Sequence, residues 1–251
     1  MGKIWFMLGF LLFFFNGNGQ SVDDRLYELR CYQTEPGRME ALLTRFTHHT
    51  LHLFEKHGMR NEGYWLAAAD SNLLYYVLSY PSLADREAAW KAFGEDPEWQ
   101  QVQAESEQSG KIVAKVVSTY LTKTDFSTFF WNRSKQKARS HPMVFELRTY
   151  TCYPGRLPAL LERFRQHTTR LFEQHGVKNV VYWTTVEQGG EQPTLVYLLA
   201  HDSVEAAKQS FDAFRADPAW IQVREASEKE GKIVAKLESV FLLPLPFSNI
   251  R

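Results

Sequence analysis

The chain has 251 residues, 44% of them apolar and 23% charged, with 29 basic and 29 acidic side chains. That balance excludes disorder and coiled coil, leaves room for one large or two small folded units, and provides no one-signed field to gather nucleic acid. Cys31 and Cys152 are the only cysteines, too few for a disulfide scaffold or a cysteine-ligated metal.

Lys3, the apolar run over 4–15 and the following Asn16-Gly17-Asn18-Gly19-Gln20 read as an export signal over 1–19, cut after Gly19. Twelve helical residues reach roughly 18 Å, short of a hydrocarbon core of about 30 Å, so a membrane anchor is the weaker reading. A secreted or periplasmic mature chain with no stable membrane insertion is expected.

Residues 27–33 alternate Tyr27, Leu29 and Cys31 with Glu28, Arg30 and Tyr32, which predicts a strand with one apolar and one mixed face. Pro36-Gly37 ends it. Met39, Leu42, Leu43, Phe46, Leu53 and Phe54 then recur at helical spacing, and Gly58 after His57 is placed as a left-handed cap. Residues 63–68 and 73–80 form a hairpin around Asp70-Ser71-Asn72. A helix follows over 82–93, Asp96-Pro97 starts another, and 112–121 is the last strand. The order β-α-β-β-α-β is the ferredoxin-like plan, an antiparallel sheet with helices on one face.

The whole unit then repeats. Without a gap, 27–65 and 145–183 agree at 22 of 39 positions, and after one loop of different length Asp96-Pro97 and Trp99 return as Asp217-Pro218 and Trp220. The repeats span 26–122 and 144–243, joined by a polar and basic linker over 123–143 that carries Phe126, Phe129, Phe130 and Trp131. The predicted fold class is α+β. The uncovered face of each sheet carries too much aromatic surface for water, so the two sheets should pack face to face as an intrachain pseudo-dimer with a barrel-like interior. A further homo-oligomer is compatible with this plan.

The motifs Tyr27-Glu28-Leu29-Arg30, Pro36-Gly37-Arg38, His57-Gly58 and Gly63-Tyr64-Trp65 resemble the NIPSNAP family, as do Phe145-Glu146-Leu147-Arg148 through Tyr182-Trp183. The resemblance covers nearly the whole mature chain. It implies the dimeric α+β barrel superfamily, which includes cofactor-independent monooxygenases, isomerases and haem proteins with cavities beside the sheet. It supplies no catalytic residues, and the eukaryotic members' mitochondrial setting differs from the export signal expected here.

Candidate site residues follow from position. At 100° per residue from Phe46, His49 falls at about −60° and His57 at about +20°, so both should point inward, as should His167 and His175. His57 and His175, just before a capping glycine, suit the free carbonyls of the helix end. His49 and His167 are the candidate proton acceptors, because a mid-helix imidazole facing a core needs a polar partner or a cavity. Glu28, Arg30 and Tyr32, with Glu146, Arg148 and Tyr150, should face the surface between the sheets. There Arg30 and Arg148 either pair with the glutamates or anchor an anion, with Tyr64, Trp65, Tyr182 and Trp183 as aromatic walls. Trp99, Trp220, Asp96 and Asp217 read as core and cap residues. His48 and His52 are four apart on a helix, but Gln166 and Arg170 replace them in the second repeat, so no metal is assigned. Asn132-Arg133-Ser134 is a glycosylation acceptor only in a eukaryotic host. No phosphate-binding glycine loop, serine-hydrolase elbow or zinc-protease motif is present, and no cofactor is expected.

These observations predict an exported protein holding a small, partly apolar ligand that could carry an acid group. The sequence does not choose between binding and catalysis. If catalytic, it would perform a cofactor-independent oxygenation or isomerisation, with Arg30 or Arg148 stabilising an enolate-like charge. The alternative is a protein-interaction module with filled cavities.

Overall fold

A computed structural model of the chain describes residues 24–127, 142–186 and 192–251. The export signal expected over 1–19 lies outside the described residues, as do Phe129, Phe130, Trp131 and the Asn132 acceptor.

In the first half, β1 (Leu26–Thr34) leads into α1 (Met39–Arg45), a π-helical turn (Phe46–Thr50) and α2 (Leu51–Lys56), which run on as one helix. Then come β2 (Arg60–Ala67), β3 (Leu73–Tyr80), α3 (Leu83–Glu95), α4 (Pro97–Ser106) and β4 (Val113–Lys123). The second half repeats the series as β5 (Val144–Cys152), α5 (Leu157–Arg163), a π-helical turn (Phe164–Thr168), α6 (Thr169–Gln174), β6 (Lys178–Thr185), β7 (Leu195–His201), α7 (Val204–Ala216), α8 (Pro218–Ser227) and β8 (Val234–Pro244). The local signals explain the ends. The Ser82 hydroxyl accepts the Asp85 N–H at 3.1 Å, and the Asp96 carboxylate accepts the Glu98 N–H at 2.9 Å with Pro97 at the first turn. Gly58 caps α2 at φ +78°, a conformation that disfavours a side chain.

The strands close into one eight-stranded barrel in the order β1-β3-β2-β8-β5-β7-β6-β4. The two half-sheets meet at two short seams: Trp65 to Ala67 of β2 opposite Pro244 to Leu242 of β8, and Leu121 to Lys123 of β4 opposite Thr185 to Trp183 of β6. Both sheet faces carry a buried layer, while the first parts of β4 and β8 stay exposed. Tyr27, Trp65, Val77 and Leu121 meet Phe145, Trp183, Leu198 and Leu242 in a core shared by both halves, with Tyr27 against Trp183 and Trp65 against Phe145, each at 5.9 Å between ring centres. On the outer face, Tyr64, Leu74, Tyr76 and Leu78 pack on Leu42, Phe46, Leu53 and Phe54 of the first helix. The second half repeats that layer with Tyr182, Leu195, Tyr197 and Leu199.

This reverses the facing expected for the mixed side of β1. Tyr27 and Leu29 belong to the shared core, whereas Glu28, Arg30 and Tyr32 lie beneath the helices, and Glu146, Arg148 and Tyr150 do the same. Of the expected aromatic walls, Tyr64 and Tyr182 are on the helix side, and Trp65 and Trp183 in the barrel. The physical reason is pairing: on the helix side α3 brings Arg86 and Trp90 to Glu28, so its charge is met by a guanidinium and an indole N–H.

The segment after the last strand of each half crosses onto the other half. The Ser248 hydroxyl accepts the Tyr64 N–H at 2.9 Å and donates to the Ile250 carbonyl at 2.7 Å. In mirrored fashion Ser127 accepts the Tyr182 N–H at 2.8 Å, and Phe126 packs 5.6 Å from the Tyr182 ring. Ser248→Ala should therefore leave a buried amide unpaired and lower the unfolding free energy by about 1–3 kcal/mol in urea titration. A loss of under about 0.5 kcal/mol, the range of ordinary surface changes, would show that the crossing segment contributes nothing.

Candidate functional site

The charged face of β1 forms a closed network. Glu28, fully buried, accepts from Arg30 Nη1 at 2.5 Å, Arg86 Nη2 at 2.8 Å, Ser118 Oγ at 2.6 Å, Tyr80 OH at 2.9 Å and Trp90 Nε1 at 3.1 Å. Burial alone would raise its carboxyl, but the Arg86 and Arg30 guanidiniums and the Ser118 hydroxyl outweigh that and bring it down to about 2. Arg30 also donates from Nε to Tyr76 OH at 2.9 Å and from Nη2 to Tyr32 OH at 3.4 Å, and it lies 4.2 Å from the Trp90 ring centre. Three of its five N–H donors are engaged, and Glu28 makes it half of a buried ion pair. Arg148 is held the same way by Tyr197 at 3.0 Å, Glu146 at 2.5 Å and Tyr150 at 3.1 Å. Around Glu146, Ser239 at 2.5 Å repeats Ser118 and His201 Nε2 at 3.1 Å takes the place of Tyr80, while Ala207 and Phe211 stand where Arg86 and Trp90 donate in the first half.

Beside this network, between the first helix, α3, α4 and the start of β4, lies a cavity of about 460 Å³. Tyr32, Phe46, Phe54, Trp90, Phe93 and Trp99 supply aromatic walls, and Arg45, Lys111 and Lys115 face a single carboxylate, Glu107. Arg45 is only 6% exposed. Its Nη1 bonds Ser106 Oγ and Glu107 Oε1, both at 3.2 Å, and its guanidinium carbon sits 5.3 Å from the Trp99 ring centre. Its Nε–H has no hydrogen-bond partner among the described residues. The second half carries a matching cavity of about 250 Å³, lined by Arg148, Tyr150, Phe211 and Trp220. There Arg163 bonds Ser227 at 3.2 Å and Glu228 at 3.1 Å, lies 5.3 Å from Trp220, and again leaves Nε unpaired. A buried donor without an acceptor costs about 1–3 kcal/mol, and both halves keep the same one. An anionic oxygen would satisfy it.

The histidines are placed otherwise than the helical wheel predicts. In the π-helical turns Leu51 N–H reaches the Phe46 carbonyl and Thr169 N–H the Phe164 carbonyl, five residues back. The wider turn brings Thr50 and Thr168 inward and carries His49 and His167 off the buried stripe. His49 is exposed in a groove between α1 and α4, and His167 is half-buried in the equivalent groove. Arg45 is the residue that lines both groove and cavity in the first half, and Arg163 in the second. His49 and His167 thus line outer clefts of about 570 and 590 Å³ and not the aromatic cavities. The imidazoles of His57 and His175 do not turn to the helix-end carbonyls, which their backbone N–H groups take; their Nε2 atoms meet Asp96 at 2.6 Å and Asp217 at 2.8 Å, tying the end of one helix to the start of the next. The Lys56 ammonium and the His57 ring hold the Asp96 carboxyl well below its usual range. Cys31 and Cys152 are free thiols that burial pushes up. His48 and His52 are exposed, and among the described residues no three His, Cys, Asp or Glu side chains gather as a metal site.

Arg45, Arg163 and Trp90 were missed as site residues. A signal for the arginines exists: Arg45-Phe46 and Ser106-Glu107 return together as Arg163-Phe164 and Ser227-Glu228, a charge pair repeated across two separate elements.

The NIPSNAP family model matches the chain twice, over 27–128 and 145–249. The chain belongs to the NIPSNAP family. No curated protein matches it significantly. Among solved structures, an anthrone oxidase-like protein is 15% identical with a TM-score of 0.54, covering 89% of this chain and 92% of that one. A monooxygenase-like protein from Lactobacillus acidophilus is 10% identical with a TM-score of 0.53, covering 88% and 94%. A NIPSNAP family protein of unknown function from Agrobacterium tumefaciens is 22% identical over 45% of this chain and 97% of its own, with a TM-score of 0.39. The two full-length likenesses place this tandem NIPSNAP chain in the dimeric α+β barrel fold.

The buried Glu28 gives a pH-dependent signature. Its folded carboxyl lies near 2 and an ordinary glutamate near 4.3, so its contribution is fully present above about pH 5 and is lost as pH falls through 2. Glu28→Gln should cost about 3 kcal/mol at pH 7, with the gap to wild type shrinking between about pH 5 and pH 2 in denaturant titrations. A gap that stays constant over that range would show that the ion pair is not the stabilising element.

Proposed function

We propose that this NIPSNAP protein is an exported binder of a small aromatic carboxylic acid. The ligand's ring lies among Trp90, Phe93 and Trp99 of the first-half cavity and its carboxylate takes the free Nε–H of Arg45. The observation that carries this reading is a guanidinium almost wholly buried in the wall of an aromatic cavity with one donor unspent. The cavity size suits a small ligand, and the lining carries three cationic side chains to one anionic one. Export is supported by Lys3 and the apolar run after it. Oxygenation or isomerisation is less well supported, because the imidazoles expected to accept a proton line the outer grooves and the carboxylate of Glu107 is already paired with Arg45. The open cavity also weighs against a pure interaction module.

Titration calorimetry with 1-naphthoate tests the reading. Wild type should bind it, and Arg45→Gln should weaken binding about 10-fold or more, the worth of one charge-assisted hydrogen bond. Gly94→Leu offers a second arm, since a Cβ at Gly94 meets no atom within 4 Å and an uncharged side chain there narrows the cavity without adding a carboxylate donor. It should lower affinity without lowering Tm. No heat with naphthoate, or equal affinity in all three proteins, overturns the assignment. Exported material should begin at Gln20 by terminal sequencing; an intact Met1 overturns the export arm.

A further inference from the structure

The two cavities share their inner cradle and differ at the mouth. Arg163, Trp220 and Glu228 repeat the disposition of Arg45, Trp99 and Glu107. Where the first half has Gly94 and Gln103, however, the second has Arg215 and Arg224. Leu237 also replaces Val116, and the volume falls from about 460 to about 250 Å³. Arg224 lies in the last turn of α8 and is exposed; Arg215 is exposed too and pairs with Asp212 at 2.5 Å. Arg148, deeper in, is neutralised by Glu146, and Glu228 by Arg163.

We propose that the second-half cavity is a separate binding site, selective for a compact dicarboxylate that places one carboxylate on Arg163 and the other on the Arg215–Arg224 mouth. This rests on the reading that the buried arginine of each cradle takes a carboxylate. The added guanidiniums supply the planar donor forks that carboxylates match, and a second anionic group is what they distinguish from the monoacid of the first cavity. The narrower space disfavours a fused ring system. The duplicated domain thus holds two sites of unlike selectivity.

The test uses phthalate as the compact dianion and 1-naphthoate as the bulky monoanion, in calorimetry on the full mature chain. Phthalate should bind wild type at one site, keep its affinity in Arg45→Gln, and lose at least about 10-fold in the double variant Arg215→Gly with Arg224→Gln. Both substituted residues are exposed, so the fold is kept, and naphthoate affinity in that double variant should equal wild type. Phthalate affinity that falls in Arg45→Gln and holds in the double variant places the dianion in the first cavity and overturns the inference, leaving the aromatic-acid reading standing. Absence of phthalate binding overturns it as well. Naphthoate failing with wild type while phthalate behaves as stated sinks the first-cavity reading alone.

Discussion

Away from the exposed stretches of β4 and β8 the strands are packed on both faces, and that constraint governs where the charges can go. The closed barrel is packed largely with apolar side chains such as Tyr27, Trp65, Phe145 and Trp183, and the glutamate and arginine that alternate with them along β1 and β5 lie on the helix side. There Glu28 finds five donors, and the network it organises joins β1, β3, α3 and β4. The cavity lies beside that network and takes Trp90 from it as a wall. Breaking the pairing would strand charge in a dry interior, at a cost of roughly 3–5 kcal/mol, comparable to truncating a large aromatic side chain nearby.

Much of the architecture was legible because local and periodic signals agree. The repeat, the order of elements and the caps at Ser82, Asp96 and Gly58 follow from spacing and residue type, and the aromatic surface on both strand faces calls for a partner sheet. The facing of β1 was not legible. Alternation separates two faces but does not say which one meets the helices, and that depends on Arg86 and Trp90, nearly sixty positions further along the chain. The facing of the histidines was hidden for a different reason. A single added residue in the helical turn at Phe46–Thr50 rotates the rest of the helix, and no residue type marks such a turn in advance. Arg45 was overlooked because an arginine at the edge of an apolar stripe ordinarily reaches solvent, whereas here Ser106 and Glu107 hold it in.

Family membership and fold leave the chemistry to the cavity. The full-length structural likenesses, at 10% and 15% identity, establish a shared barrel and nothing about substrate. The cavity argues from its own contents: aromatic walls, a surplus of positive side chains and one donor with nothing to give to. Such a combination suits the role proposed above, with charge to select the acid and shape to select the ring.

Fusing the halves into one chain has a further effect at the seams. The β2–β8 seam ends on Pro244, while the corresponding place in the β4–β6 seam is Lys123. Two identical subunits would have to carry proline at both seams or at neither, and glycine or arginine at both cavity mouths. Covalent continuity removes that symmetry requirement, so each half is free to drift toward its own partner while still depending on the other for its interior.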